Sequence, residues 1–373
     1  MIVGVEKKLL RPAFLLGVLA IFLSIPTVQG QQTLPAPPPP WKAKPKPTPK
    51  QVEPDVIADV IKTTSNLVMV PVSVTDQQGQ AVQGLTKDDF RLLEEGKQQE
   101  ISGIGDPEQV PLAIALLFDV SSSVSQKGFF AFQQKAAAEF LRLVMKPDDR
   151  AAIFTIGNQA VMVQPLSPGN VATAKLLTIP PATSPVPTAF YDSVSAAAKY
   201  LETAPSQFRR VIIVITDGDD NNSLRIVSTT PAEAAAIQDG KITPAASKLN
   251  QDRKHRLAVA DVQQATQRAD AIFYSVNPGG PSVKLNQIAM RAERGMEAIA
   301  ETTGGTAFVP DSDKDLERVF RQVAAELRGQ YLLQYYGNSD APSGVFRKIQ
   351  VGVPARNDVR VRARQGYYPK KSD

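Results

Sequence analysis

Two short runs gather oxygen donors at spacings that suit a divalent cation. Asp119-Val-Ser121-Ser-Ser123 offers one carboxylate and two hydroxyls on alternate residues, which a tight turn can aim at a common centre. Asp217-Gly-Asp219-Asp220-Asn221 adds carboxylates, and Pro187-Thr188-Ala-Phe-Tyr-Asp192 puts Thr188 at a turn running into a helix. All-oxygen donor sets select hard ions, Mg2+ first, with Mn2+ or Ca2+ as alternatives. Composition narrows the chemistry further. The chain has no cysteine and one histidine, His255, which excludes disulfides, thiol nucleophiles, zinc-thiolate sites and multi-histidine metal sites.

Rival chemistries fit less well. Ser and Asp are ordinary helix N-caps, so the Asp119 run alone has a bland reading. The run from Asp217 begins like a calcium loop, but its sixth position is Asn222 and its twelfth Ser228, where Gly and Glu are needed. Gly79 and Gly84 have phosphate-loop spacing without the lysine that would follow. No G-x-S-x-G elbow occurs. Asn221-Asn-Ser223 fits a glycosylation sequon, which chance explains in so polar a run. His255, inside Arg253-Lys-His-Arg256, is expected to be solvated. Tyr331, Tyr335, Tyr336, Tyr367 and Tyr368 would suit a sugar-binding surface, but at strand spacing they read as core and cross-strand pairs.

The donors stand where strands must end. Leu112 to Phe118 and Val211 to Thr216 are continuous apolar runs, as in parallel strands buried on both faces. Ligands of open α/β sheets bind just beyond the carboxyl ends of such strands. Further strands are expected at 151–156, 160–163, 271–276 and 307–309, alternating with helices at 126–145, 189–201, 258–269, 293–302 and 313–327. The last carries Leu316, Val319, Phe320, Val323, Ala324 and Leu327 as one apolar stripe. This alternation predicts an α/β fold with a doubly wound, mainly parallel sheet over 111–328. Segments 55–110 and 329–369 are β-rich, with Val68, Val70, Val72 and Val74 on one face. They are expected to pair into a small flanking β domain, with the α/β unit inserted between its halves. The polar stretch 219–256 is expected to be an excursion, partly helical over 232–238.

The 373 residues, 43% hydrophobic and 21% charged, exclude global disorder and allow two domains. Residues 1–30 read as a secretory signal peptide. Lys7, Lys8 and Arg11 precede an apolar run from Ala13 to Ile25 that is too short to span a bilayer, and small residues at 28 and 30 suit cleavage before Gln31. Residues 31–54 form a Pro/Lys-rich linker. The expectation is export to the periplasm, cell envelope or medium, with no stable membrane span. A net charge of +5, partly lost with the signal, is too weak to argue for nucleic acid.

Asp119, Ser121, Ser123, Thr188 and Asp217, on these strand ends, resemble the metal-ion-dependent adhesion site of the von Willebrand factor type A domain. The likeness covers about 111–328. The flanks, GLTKDDFRLLEEGKQQ (84–99) and RGQYLLQYY with its continuation (328–369), resemble a related domain of acidobacterial secreted proteins. The insertion after Asn221 and the Pro-rich 180–187 depart from the pattern.

The resemblance implies a non-enzymatic protein-binding or adhesion module. Asp119, the two serines and Thr188 would contact the ion, Asp217 would act through water, and a partner protein's carboxylate would complete the shell. Two rivals follow: an envelope scaffold protein with a structural metal, and a metal-assisted hydrolase using Asp219 or Asp220 as base. Asp119 is expected on a surface loop, and the helix over 313–327 is expected to be the soft element that moves on ligand binding.

Overall fold

The structure is a computed structural model that describes residues 67–125, 130–241, 243–281, 287–311, 315–337 and 342–369. The signal, the linker and residues 55–66 lie outside the described residues.

Strand β5 (Leu112–Asp119) is buried at every position and organises the α/β unit. It pairs in parallel with β6 (Arg150–Ile156) on one side and β8 (Arg209–Ile215) on the other. Strands β9 (Ala271–Val276) and β10 (Ala307–Phe308) extend the sheet beyond β8 in parallel. Strand β7 (Ala160–Ser167) closes the other edge antiparallel to β6, giving the order β10-β9-β8-β5-β6-β7. Alternate β5 side chains face opposite ways. Leu112, Ile114, Leu116 and Phe118 join a core with α2 (Phe130–Val144), α3 (Gly169–Leu176) and α9 (Leu316–Arg328). Ala113, Ala115 and Leu117 join a second core with α4 (Phe190–Leu201), α7 (Pro244–Arg268) and α8 (Gln287–Thr303). The strand order steps outward in both directions from β5, so the crevice between the carboxyl ends of β5 and β8 is the sheet's switch point.

The flanking segments pair with each other as expected. Strand β1 (Leu67–Thr75) lies between β11 (Tyr331–Tyr336) and β13 (Arg360–Ala363), with β4 (Ile101–Gly105) outside β11. A second antiparallel sheet runs β14 (Gly366–Tyr367), β12 (Arg347–Gly352), β2 (Arg91–Glu94), β3 (Lys97–Gln99). Val68, Val70, Val72 and Val74 are all buried, with Leu92, Leu333, Tyr335 and Ile349. Tyr331, Tyr335 and Tyr367 are core residues, whereas Tyr336 is exposed.

The excursion is mostly helical. After α5 (Leu224–Val227) and α6 (Pro231–Gln238), α7 starts at Pro244, far ahead of the expected 258. Thr243 caps it by accepting from the Ala246 amide at 3.2 Å, and Pro244 suits the first turn. His255, Ala258, Val262 and Thr266 share its buried face. This corrects the expectation for His255, which is 5% exposed. The basic run around it misled: only the face holding Arg253 and Arg256 looks outward.

Helix α9 is held at its C-terminal end. Glu326 accepts hydrogen bonds from Tyr274 Oη (2.9 Å) and Ser73 Oγ (3.1 Å) and pairs with Arg362 at 2.6 Å. Arg328 pairs with Asp149 and donates to the Val144 carbonyl. Moving this helix would break buried polar contacts to both the central sheet and the flanking sheet, so it is not a soft element.

Candidate metal centre

Three loops meet at the switch point. The first begins with Asp119, which is fully buried as the last residue of β5, a correction to the surface-loop expectation. The Ser121 amide donates to its Oδ1 at 2.7 Å, and the Thr216 hydroxyl donates to Oδ2 at 2.5 Å. Ser121 is buried beside it, and its side chain also hydrogen-bonds the carboxylate. Ser123 lies in the short helix α1 (Ser122–Ser125), its side chain outside the described part of the structure.

The second loop brings Thr188, which is also buried. It is stitched to the first loop because the Ser122 amide donates to the Val186 carbonyl (3.2 Å) and the Val186 amide to Ser122 Oγ (2.6 Å). The third loop follows β8. Thr216 hydrogen-bonds Asp119 and accepts from the Gly218 amide at 2.9 Å, which sets the path through Asp217. Gly218 has φ +72°, and a Cβ there would stand 2.7 Å from Met296 Cε, so the turn needs glycine. The third loop is bonded to the second: Asn221 Oδ1 accepts from the Thr188 amide (2.9 Å), and the Thr188 carbonyl accepts from the Asn221 and Asn222 amides.

Asp220 works as a brace. It accepts from the Tyr191 amide at the start of α4 (2.8 Å), from the Ser223 amide (2.9 Å) and hydroxyl (2.5 Å), and from the Asn222 amide (3.2 Å). A carboxylate so engaged is no general base, which removes one of the two bases expected for a hydrolase. Thr216, Asn221, Ser122 and Asp220 were not singled out as positioning residues from sequence. Their signal was adjacency, since each lies within four residues of a donor that was.

The donor set fits a hard divalent ion. Burial pushes the Asp119 carboxyl up to about 6, and Asp217 adds to this by charge repulsion, against the hydrogen bonds from Ser121 and Thr216. Neutral donors thus solvate a buried carboxylate beside a second carboxylate. A cation in that space would relieve both burial and repulsion, and each Asp119 oxygen has a further lone pair to give. Among the described residues no three His, Asp or Glu side chains form a metal-holding group. An ion here would be held by the Asp119 carboxylate and neighbouring hydroxyls, with Asp217 at longer range, which leaves it a net positive charge.

Across the third loop, Tyr191 Oη and His255 Nδ1 are hydrogen-bonded at 3.1 Å. Burial lowers the His255 pKa to about 4, with Arg291 adding and Asp252 opposing. The native ring stays neutral between pH 6.5 and 4, while the unfolded chain takes up a proton there. The ring's contribution is therefore fully present above pH 6.5 and is lost as pH falls toward 4. His255→Gln should lose less melting temperature than the wild type between pH 7 and pH 4.5 in scanning calorimetry. Parallel losses in the two proteins would show that the ring is not held neutral.

No protein-family model matches the sequence, and no curated protein matches it. Solved structures do resemble it. A von Willebrand factor type A protein from Catenulispora acidiphila is 13% identical, covering 83% of this chain and 64% of its own, with a TM-score of 0.42. An aerotolerance-related membrane protein from Bacteroides fragilis is 15% identical over 57% of this chain and 98% of its own, at a TM-score of 0.38. Proximal thread matrix protein 1 from the mussel byssus, solved with a zinc-occupied adhesion-site motif, is 15% identical over 61% of this chain, at a TM-score of 0.40. This chain spans 48% of that protein's length. The sheet itself is mainly parallel, with one antiparallel edge at β7 and helices on both faces.

Proposed function

We propose that this von Willebrand factor type A-like module is an exported, non-enzymatic binding protein that holds one divalent ion, Mg2+ by preference, and presents it to a carboxylate of a partner protein. The observation that carries the reading is that three loops, bonded to one another, meet beside the buried Asp119. Asp119 and Ser121 would hold the ion with Thr188, Ser123 would complete the tripod, and Asp217 would act at longer range. When bound, the ion supplies an electrophilic position open to an external oxygen.

The chain's own residues do the rest. Thr216 orients the Asp119 carboxylate and ties it to the Gly218 turn. Asn221 holds the Thr188 loop, and Asp220 locks the start of α4 beneath it. These bonds preorganise the donors, so little ordering would accompany ion binding. Export rests on residues 1–30; among the described residues no helix is long and apolar enough to cross a membrane.

The test is capture of envelope proteins on the immobilised mature chain, with Mg2+ or with EDTA, while circular dichroism follows the fold. Capture lost in EDTA with the fold intact is the expected result. Capture indifferent to EDTA would leave the ion a structural role at most.

A further inference from the structure

The excursion builds a groove beside the metal centre. Helices α6 and α7 form one wall and α8 the other, enclosing a cavity of about 1710 Å³. Its near end is lined by Asp219, Asp220 and Asn221, the loop whose Asn221 holds Thr188. The groove therefore reaches the third loop of the candidate metal centre. Its volume exceeds the roughly 300–1,000 Å³ of small-molecule pockets, which favours a chain segment as occupant.

The charges lining it are unbalanced. Lys254 pairs with Glu233 at 3.3 Å and Arg291 with Asp252 at 3.1 Å, so those four neutralise one another. Asp220 is enclosed by its own loop and the start of α4, and His255 is neutral at physiological pH. Lys248, Arg256 and Arg294 also line the groove, are exposed, and make no ion pair among the described residues. Asp219 alone offsets them. Between these cations lie apolar side chains: Ile226 and Val259 inside, Val227, Ile237 and Ile288 on the rim. With a divalent ion at its end, the groove becomes a cationic track with apolar footholds.

We propose that this groove is a second anchoring subsite for the partner: it takes an extended segment rich in acidic and apolar side chains, continuous with the carboxylate presented to the ion. The proposal rests on the metal-dependent reading above. Charge complementarity selects the segment, and the ion fixes its register.

The probe is a short fluorescein-labelled peptide alternating Glu and Leu, titrated by anisotropy into the mature chain in excess Mg2+. Saturable binding is expected, weakened at least about tenfold by the double substitution Lys248→Glu with Arg294→Glu. Calorimetric Mg2+ affinity should be unchanged in that variant, since neither residue touches the three loops. A Gln-for-Glu peptide should bind far more weakly. Peptide affinity unmoved by the charge reversals but abolished by Asp119→Ala would overturn the groove and leave the metal reading standing. No Mg2+ binding by the wild type, with peptide binding still sensitive to Lys248 and Arg294, would overturn the metal reading and not the groove. Failure of the wild type to bind the peptide would overturn the groove outright. An oligonucleotide that binds as tightly as the peptide would overturn the assignment to a protein segment.

Discussion

Asp119→Ala should lower affinity for Mg2+ and Mn2+ by at least about a hundredfold, roughly 2.7 kcal/mol, in calorimetric titration. Asp119 is the one carboxylate proposed to touch the ion directly, and the hydroxyls left behind, with Asp217 only at longer range, cannot balance a divalent charge. The fold should survive, but not because the residue is exposed. Removing it leaves the Thr216 hydroxyl and the Ser121 amide without their acceptor, at about 1–3 kcal/mol for an unsatisfied buried group. Against this, the substitution removes a buried charge that lies beside Asp217. The two effects oppose, so stability should move far less than affinity. A variant that binds Mg2+ as the wild type does would mean that the ion sits elsewhere.

Glu326→Ala should have the largest effect on stability, about 3–5 kcal/mol in urea unfolding. Its carboxylate is buried where α9, β9, β1 and β13 meet, accepting from Tyr274 and Ser73 and balancing Arg362. Truncation strands the half-buried Arg362 guanidinium and leaves the fully buried Tyr274 phenol without its acceptor. Glu326→Met combined with Arg362→Met should recover much of the loss, since no unpaired charge then remains. If the single substitution costs under about 1 kcal/mol, this cluster does not join the flanking sheets to the α/β unit.

The parts of this architecture that were readable in the sequence are those with a strong local signal. The apolar runs at Leu112 and Val211 could only be doubly covered strands, and the α9 stripe could only be one buried helix face. The donors after Phe118 and Thr216 were legible because the ends of such strands are where side chains must face an open crevice. Pairing of Val70 with Leu333 across the whole α/β insertion followed from the return of alternation after Gly329. What stayed hidden was tertiary. Helix α7 has a polar composition, and the small residues on its buried face carry little periodic signal, so its first half passed for loop and His255 for a solvated residue. The role of Glu326 was not legible, because its partners come from β1, β9 and β13. The bracing by Asp220 and Asn221 depends on how two loops meet, which no spacing within one loop reveals.

The central claim is that one divalent ion is held at the junction of these loops. Titration of the mature chain with Mn2+, followed by electron paramagnetic resonance, measures this most directly. The account expects a single saturable site per chain, competed by Mg2+, emptied by EDTA without loss of circular dichroism, and absent in Asp119→Ala. Free Mn2+ signal rising from the first addition, or a full site surviving in Asp119→Ala, would contradict it.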